Sequence, residues 1–370
     1  MSEIKVPFQD FRAGYHELKP ELDAAYQRFM ESGWYVLGSE LSSFESEYAT
    51  YCEAEHCVGV ANGLEALHLA LRVLDCGPGD EVIVPTNTYI ATWLAVSQVG
   101  AVPIPVEPDP STYNLDPSRV EEAISPRTKC ILSVNLYGQA TDYDALLEIC
   151  GRRGLKLVID NAQAHGARYK WRRVGGIAHM ECHSFYPSKN LGAYGEAGAV
   201  TTNDADLADR VRILRNYGSR VRYQNEVAGY NSRLDELQAS FLRVKLGHLD
   251  EWNRRRMDLA GQYISQLSDA DSSLVLPSIP IWADPVWHLF VIRHPQRDAL
   301  QKHLTDLGIQ TIIHYPVPPH LSGAYQSLGL RRGAFPIAEQ LASEVLSLPI
   351  GPHSSSAQVD EVCRALKAWR

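Results

Sequence analysis

Short apolar strands that alternate with amphipathic helices fill the first half of this chain, and this rhythm constrains the fold most. The apolar stretches predict buried strands at residues 57–61, 81–85, 102–106, 130–134 and 155–159. Helical spacing follows each of the first four strands, with predicted ends near residues 74, 99, 124 and 150. Such alternation predicts a mostly parallel sheet covered by helices on both faces. Ligands of these sheets bind at the carboxyl ends of the strands, so the residues just after each strand are the first candidates for a site.

The regions before and after this rhythm predict an N-terminal arm and a second domain. Apolar spacing predicts a helix over residues 19–30, an aromatic loop over 32–38, and a second helix capped by Ser39. After residue 200 the predicted elements are helices at 204–217 and 234–264, a loop at 223–229, strands at 286–292 and 311–314, and helices at 298–307, 337–346 and 357–369. Because 370 residues favour two domains, we place a large domain at 1–245 and a smaller C-terminal α+β domain at 246–370.

Composition excludes several classes of protein. The chain is 45% hydrophobic and 21% charged, as in ordinary globular proteins, and its net charge is −9. Binding to nucleic acid rests on clustered Lys and Arg, so this charge argues against such a partner. No apolar run approaches the roughly 20 residues that cross a bilayer, and no signal-peptide pattern opens the chain. We therefore expect a cytoplasmic protein without a membrane partner.

The cysteines and histidines do not predict a disulfide framework or a metal centre. The seven cysteines include no Cys-x-x-Cys pair, which favours reduced, mostly buried thiols. His179 and His183 are four residues apart and would share one face of a helix, a spacing that suits a metal. The segment leads into a predicted strand, however, where the same spacing separates two side chains too far for one metal. We expect no metal ion.

The stretch from residue 183 to 199 contains the strongest candidate for chemistry. It places Lys189 in a turn rich in small residues, with Gly192, Gly195 and Gly198 allowing tight or positive-φ backbone and close approach to a ligand. A lysine held among apolar and small residues loses solvation, which lowers its pKa and makes its amine a usable nucleophile or Schiff-base former. The alternative for a single lysine is a solvated loop residue.

Three other strand ends supply groups that complement this lysine. The strand at 57–61 runs into a glycine turn and a helix at Gly63 and Leu64, where free N–H groups and the helix dipole suit a lone phosphate. Tyr89 follows the strand at 81–85 and would stack on a planar ligand. Asp160 follows the strand at 155–159, where it would either pair with a ring nitrogen or simply cap a turn. Together with a Schiff-base lysine, these groups meet the requirements of pyridoxal phosphate.

The same motifs give the chain a resemblance that covers nearly its whole length. The matching segments, in order, are 32–38, 61–67, 160–166, 183–189 and 229–238. On these residues the chain resembles the DegT-type sugar aminotransferases, which are pyridoxal-phosphate enzymes with the aspartate-aminotransferase fold (fold type I). Residues 34–35, 88–92 and 314–320 are most similar to the branch that makes 3-amino-3,6-dideoxyhexoses on thymidine diphosphate.

The resemblance implies a role for each matching position. Lys189 would hold the cofactor aldehyde as a Schiff base and move the proton between carbon atoms, with Asp160 on the pyridine nitrogen. Gln163 would lie near the ring hydroxyl and Tyr89 on the ring face. The cofactor phosphate would be held by Gly63, Leu64 and Ser184, and Asn231 would reach the phosphate of the neighbouring subunit, which implies a homodimer.

The resemblance also implies the reaction and leaves some alternatives open. The implied activity moves an amino group from L-glutamate to a dTDP-linked 3-keto-6-deoxyhexose, with Tyr35, Tyr186 and His314 as candidate sugar or diphosphate contacts, unless they are packed aromatic or surface groups. The alternatives are a 4-keto sugar aminotransferase, a non-catalytic regulator with the same fold, and a pyridoxal-phosphate reaction on an amino acid. A related branch has histidine in place of the lysine and performs dehydration, so Lys189 favours transamination. Asn161 stands where many members have a small residue, and we expect it to alter packing more than chemistry.

Overall fold

A computed structural model describes residues 4–269 and 272–369 of the chain. The helices of these residues are α1 (Phe11–Ser32), α2 (Ser39–Tyr51), α3 (Gly63–Val73), α4 (Ala91–Gln98), α5 (Pro117–Ala123), α6 (Tyr143–Arg153), α7 (Ala205–Leu214), α8 (Glu236–Leu246), α9 (Leu249–Leu267), α10 (Arg297–Asp306), α11 (Pro336–Glu344) and α12 (Ser356–Ala368). The strands are β1 (His56–Val60), β2 (Glu81–Pro85), β3 (Val102–Val106), β4 (Thr128–Val134), β5 (Lys156–Asp160), β6 (Arg168–Tyr169), β7 (Arg172–Arg173), β8 (Met180–Ser184), β9 (Gly198–Thr202), β10 (Ser219–Val221), β11 (Gln224–Asn225), β12 (Ala283–Asp284), β13 (Phe290–Arg293) and β14 (Val345–Leu348).

The central sheet has the predicted mostly parallel arrangement. Within the described residues it contains seven strands in the order β1-β9-β8-β5-β4-β2-β3. β9 runs antiparallel to both of its neighbours, and the other neighbouring strands are parallel. β2 and β3 have the predicted bounds, and the remaining predicted strands of the rhythm shift by one or two residues. Since β2, β4, β5 and β8 all run the same way, their carboxyl ends meet at one edge of the sheet.

Helices cover both faces of this sheet because successive strand residues point to opposite sides. Val82 and Val84 of β2 pack into a core with α3, α4 and α7. Ile83 between them packs into a second core with α5 and α6. All of these side chains are fully buried. This two-sided burial is the reason that the strands are apolar along their length rather than alternating.

The N-terminal helices differ from the prediction at their starts. α1 begins before residue 19 because the carboxylate of Asp10 accepts hydrogen bonds from two N–H groups of its first turn. The prediction that Ser39 caps α2 is wrong, since Ser39 is the first residue of that helix. The carboxylate of Glu236, distant in sequence, accepts from the N–H groups of Gly38, Glu40 and Leu41 and so caps the helix instead.

The segment after β9 also departs from the prediction. The helix predicted at 234–264 is two helices, α8 and α9, which break at Gly247 and His248. The loop predicted at 223–229 contains β11, which pairs with β10 in a hairpin. Both differences arise from pairing and packing that local helical spacing does not report.

The C-terminal part forms a separate core around β13 and β14, which pair antiparallel. α9, α10 and α12 pack against these strands. The helix predicted at 337–346 ends at Glu344, and the chain continues as β14. The strand predicted at 311–314 is reduced to one bridge, between Ile312 and Ser347. The domain boundary at residue 245 stays a prediction.

The cysteines and the pair His179 and His183 lie in the packed interior or in hydrogen bonds of the fold. All seven cysteines are buried free thiols. His183 contacts the hydroxyl groups of Tyr48 and Thr201 with its two ring nitrogens. No group of three or more His, Cys, Asp or Glu side chains in the described part of the chain is arranged to hold a metal ion. Among residues 4–269 and 272–369, no helix has both the length and the apolar character that crossing a bilayer requires.

Candidate active site

A cavity of about 680 Å³ opens at the carboxyl ends of the strands, where the sheet prediction places a ligand. It brings together most of the residues that the sequence singled out: Gly63, Leu64, Tyr89, Asp160, Gln163, Ser184, Tyr186, Lys189 and His314. These residues come from five separate segments of the chain. We call this space the strand-end cavity.

Lys189 lies in the turn after β8, where its N–H donates to the carbonyl of Tyr186 at 2.9 Å. Burial lowers the pKa of its amine to about 8, and the nearby carboxylate of Asp160 opposes only part of that shift. None of the three glycines of this stretch has φ in the left-handed region. Gly198 is required for space instead, because a Cβ there would lie 2.4 Å from the backbone of Asn62. Lys189 is therefore a partly buried residue whose amine is influenced by a nearby carboxylate and is more easily deprotonated than that of a solvated lysine.

Asp160 is the last residue of β5 and lines the strand-end cavity together with Lys189. Its carboxylate accepts from the N–H of Ala162 at 3.0 Å and from the hydroxyl of Thr92 at 3.2 Å. Burial raises the pKa of this carboxyl, and the hydrogen bonds and Lys189 pull it back in part. The two donors orient the carboxylate and leave it exposed to the cavity. A cationic N–H of a bound ring would complete its partners.

The start of α3 forms a donor-rich corner of the cavity. The side chain of Asn62 caps the helix by accepting from the N–H of Glu65 at 2.9 Å. The N–H groups of Gly63 and Leu64 have no acceptor within the helix, as at any helix start. Ser184 lies against Gly63 so closely that a Cβ on Gly63 would lie 2.5 Å from the Cβ of Ser184. A phosphate between these groups would receive backbone and hydroxyl donors together with the helix dipole.

Two tyrosines and Gln163 border the middle of the cavity. The rings of Tyr89 and Tyr315 are 5.2 Å apart, and Tyr89 is half exposed. The amide group of Gln163 donates to the hydroxyl of Tyr315 at 3.0 Å, and its oxygen accepts from the N–H of Tyr137 at 2.6 Å. Gln163 is thereby held in one orientation, with one amide hydrogen left for a ligand. The aromatic rings flank the space that a planar ring would fill.

Two histidines line the same cavity as neutral groups. The Nδ1 atom of His314 is 2.8 Å from the hydroxyl of Ser347. Burial, aided by the charge of Lys189, lowers the pKa of His314 to about 4. His288 is 3.1 Å from the side-chain oxygen of Asn190, and burial holds the pKa of His288 far below its usual range. At neutral pH both histidines are hydrogen-bonding groups rather than cations.

Two of the candidate residues do not line this cavity. Tyr35 is half exposed, and its ring packs 5.1 Å from that of Phe29. Asn231 is exposed and forms a backbone bridge with Asn216. The fold of one chain therefore does not bring either residue to its own strand-end cavity.

The structure adds three residues that sequence reasoning did not assign. Thr92, the second residue of α4, donates a hydrogen bond to the carboxylate of Asp160. The hydroxyl of Tyr315 accepts from the amide group of Gln163, and His288 lines the cavity. Tyr315 directly follows His314, a candidate residue, so the sequence already pointed to this position. The position of His288 had no such signal, because it depends on the packing of the C-terminal part against the sheet.

The chain is similar to known proteins over nearly its whole length. The model of the DegT/DnrJ/EryC1/StrS aminotransferase family matches residues 16–367. A protein of Saccharopolyspora erythraea called "Erythromycin biosynthesis sensory transduction protein EryC1" is 57% identical over 99% of this chain and 100% of its own length. A "dTDP-3-amino-3,4,6-trideoxy-alpha-D-glucose transaminase" of Streptomyces venezuelae is 54% identical over 99% of this chain and 96% of its own.

A solved structure extends the similarity to the fold. The crystal structure of S. venezuelae DesV in complex with a ketimine intermediate has a TM-score of 0.97 and 53% identity, covering 100% of this chain and 99% of that one. The predicted α/β fold of a pyridoxal-phosphate aminotransferase is confirmed by this likeness. The aminotransferase class implied by the resemblance is confirmed by the family match. The chain belongs to the DegT/DnrJ/EryC1/StrS aminotransferase family.

Proposed function

We propose that this chain is a pyridoxal-phosphate-dependent aminotransferase that converts a dTDP-linked 3-keto-6-deoxyhexose to the 3-amino-3,6-dideoxyhexose, with L-glutamate as the amino donor. The observation that carries the proposal is that Lys189, whose amine has a lowered pKa, and the buried carboxylate of Asp160 line one cavity and influence each other electrostatically. The name of the S. venezuelae relative supports a 3-amino sugar on dTDP.

The residues of the strand-end cavity fit pyridoxal phosphate by their chemistry. Gly63, Leu64 and Ser184 form a crowded corner of hydrogen-bond donors at a helix start, which suits the phosphate. Asp160 suits the ring nitrogen, and Gln163 suits the ring hydroxyl. When bound, the cofactor supplies an electron sink for negative charge at the carbon that loses its proton.

The chain's own groups account for the proton transfers. Asp160 would keep a proton on the ring nitrogen of the bound cofactor, while hydrogen bonds from Thr92 and Ala162 orient its carboxylate. The pKa of the Lys189 amine, about 8, is close to neutral pH, so the amine can both accept and return a proton. Because the amine would share one cavity with the carbons of a bound substrate, a single residue can serve as base and acid.

The sugar nucleotide would approach from the open, aromatic side of the cavity. Tyr186 and Tyr89 are each half exposed there, and His314 is neutral. We assign Tyr186 and His314 to hydrogen bonds with the sugar or diphosphate. Discrimination between 3-keto and 4-keto sugars then depends on which sugar carbon faces Lys189.

The exposed positions of Tyr35 and Asn231 favour a homodimer with shared sites. The loop that carries Tyr35 also exposes its neighbours Trp34 and Val36, by 63% and 47%, and contiguous exposed apolar side chains mark interaction surfaces. We infer that a second copy covers this loop and that Asn231 of the partner subunit reaches the cofactor phosphate. The seven buried free thiols suit a reducing compartment, so we place the enzyme in the cytoplasm.

A non-catalytic regulator is the second candidate, favoured by the name of the S. erythraea relative. A sensor needs a ligand pocket but does not need an amine of lowered pKa facing a buried carboxylate. The Lys189–Asp160 pair therefore favours the enzyme.

Absorption spectroscopy tests the proposal. The purified protein with pyridoxal phosphate should show the long-wavelength band of a lysine Schiff base, and L-glutamate should bleach it. Lys189→Ala should lack that band, whereas Lys302→Ala, at an exposed lysine, should keep it. Turnover of a dTDP-3-keto sugar then tests the substrate. If glutamate leaves the wild-type spectrum unchanged, the aminotransferase proposal fails and the regulator is favoured.

A further inference from the structure

A second cavity, of about 240 Å³, lies beside the turn that carries Lys189. Ser188 and Lys189 line both this space and the strand-end cavity, so the turn forms the wall between them. The other lining groups come from the N-terminal arm, α8, α9 and the loop before α12. We call this space the rear cavity. It is far smaller than the strand-end cavity and too small for a nucleotide sugar.

Two buried cationic side chains, Lys245 and Arg256, line the rear cavity and are only 8% and 4% exposed. The amine of Lys245 donates to the carbonyl of Gly192 at 2.6 Å and lies 3.5 Å from the centre of the Tyr194 ring. One nitrogen of the Arg256 guanidinium, Nη1, donates to two backbone carbonyls, at 3.2 and 3.3 Å. No carboxylate among residues 4–269 and 272–369 pairs with either side chain.

This arrangement is unusual because buried Lys and Arg side chains normally have a charged partner. Burial alone lowers the pKa of Lys245 to about 7 and that of Arg256 to about 10, and no carboxylate counteracts either shift. Carbonyl oxygens and an aromatic face satisfy a few donors, but they do not supply the missing negative charge.

The acidic groups nearby are engaged elsewhere. Glu17 accepts from His353 at 2.6 Å, from Trp252 at 3.1 Å and from Arg255 at 2.8 Å. Asp10, which lies at the exposed edge of the rear cavity, caps α1 through its side chain. Neither carboxylate contributes to the pKa of Lys245 or Arg256, which burial alone shifts.

We propose that the rear cavity is a binding site for a small oxyanion, held between Lys245 and Arg256. The bound group is a phosphate, a sulfate or the carboxylate end of a small acid, since each offers oxygen acceptors to an ammonium and a guanidinium. Such an anion would also brace the turn of Lys189, because Lys245 already holds the carbonyl of Gly192 in that turn. The site is separate from the reaction proposed above and does not depend on it.

Calorimetric titration tests this proposal. The holoenzyme is used because bound pyridoxal phosphate would keep a titrated anion out of the donor-rich corner at Gly63. Inorganic phosphate and glutarate are titrated separately, each against chloride of matched ionic strength. We expect one saturable site per chain with at least one of the two probes. Phosphate binding that the substitutions below weaken identifies an inorganic oxyanion as the ligand, and glutarate binding that they weaken identifies a carboxylate. Glutarate binding that they leave unchanged belongs to the strand-end cavity, where L-glutamate would bind.

Substitutions assign the site to the two cations. Lys245→Met should weaken binding by about 10- to 150-fold, the value of one charged hydrogen bond. Arg256→Lys keeps the positive charge but loses the planar guanidinium with its several N–H donors, so it should weaken anion binding as well. This variant replaces Lys245→Met if that protein does not fold. Lys302→Met, at an exposed lysine, should bind like the wild type. The proposal is overturned if neither probe binds, as when an acidic group of a partner subunit fills the cavity, or if both substitutions leave the affinity unchanged.

Discussion

The crowding at the donor-rich corner at the start of α3 predicts that Gly63→Ala weakens cofactor binding. The added Cβ would lie 2.5 Å from the Cβ of Ser184 and 3.1 Å from its Cα. Carbon atoms in contact prefer separations of about 3.5–4.0 Å, so the helix start and Ser184 must separate by about 1 Å. Both elements are fixed by packing, since β8 lies inside the sheet and α3 is largely buried.

The magnitude follows from the donors that this movement displaces. A hydrogen bond from an N–H group to a charged phosphate contributes about 1.5–3 kcal/mol. Loss of one such bond weakens binding about 10- to 150-fold at about 1.4 kcal/mol per tenfold change. The crowded side chains should also lower the free energy of unfolding by about 1–3 kcal/mol, as in other overpacked sites.

A matched glycine provides the control. Gly261 lies in α9, and a Cβ added there would have no neighbouring atom within 4 Å, so Gly261→Ala only improves helix propensity. It should raise the free energy of unfolding by about 1 kcal/mol and leave cofactor affinity unchanged. Spectroscopic titration with pyridoxal phosphate gives the affinities, and urea unfolding gives the stabilities. If folded Gly63→Ala binds the cofactor within twofold of the wild type, the phosphate does not lie in this corner.

Three further predictions concern buried charges. Asp160→Asn should lower the rate of the glutamate half-reaction at least about 100-fold, measured by stopped-flow absorbance, because a neutral amide does not stabilise a protonated ring nitrogen; an unchanged rate would exclude that role. Glu181 is a fully buried carboxylate that accepts from three backbone N–H groups, so Glu181→Gln should lower the free energy of urea unfolding by about 3 kcal/mol, and exposed Glu148→Gln should not. The lowered pKa of Lys245 predicts that stability depends on pH. Below pH 7 the amine is protonated in both the folded and the unfolded chain, so the free-energy cost of burying its charge is complete. That cost is lost as the pH rises towards 10.5, the pKa of the amine in the unfolded chain. The stability of the wild type should therefore rise relative to Lys245→Met between pH 7 and 9, and parallel pH profiles from urea unfolding would contradict this reasoning.

Much of the strand-end cavity could be predicted because its residues follow strands that are apolar along their whole length. Asp160 ends β5, Lys189 follows β8 and Gly63 begins the helix after β1, so local sequence placed each at the correct edge. The parallel order of the strands then brought them together without any further information.

The remaining features depend on contacts between distant segments. Glu236 replaces Ser39 as the cap of α2 from nearly two hundred residues away, which no local pattern reports. The turn of the chain into β14 is determined by pairing with β13, although the same residues have helical spacing. The position of Tyr35 was open for a similar reason, because an exposed aromatic loop suits a pocket wall and a surface for a second chain equally well.

The two buried lysines show why burial alone does not identify a catalytic residue. Burial lowers the pKa of both Lys189 and Lys245, to about 8 and about 7. Their partners differ: Lys189 faces the carboxylate of Asp160, whereas Lys245 has a carbonyl and an aromatic ring. The carboxylate near Lys189 can pair with a charged group of a bound ring. That pairing would hold the ring where the amine can transfer a proton. An amine with only neutral partners loses its proton as the pH rises through about 7 unless an anion binds beside it, and neither outcome requires a reaction.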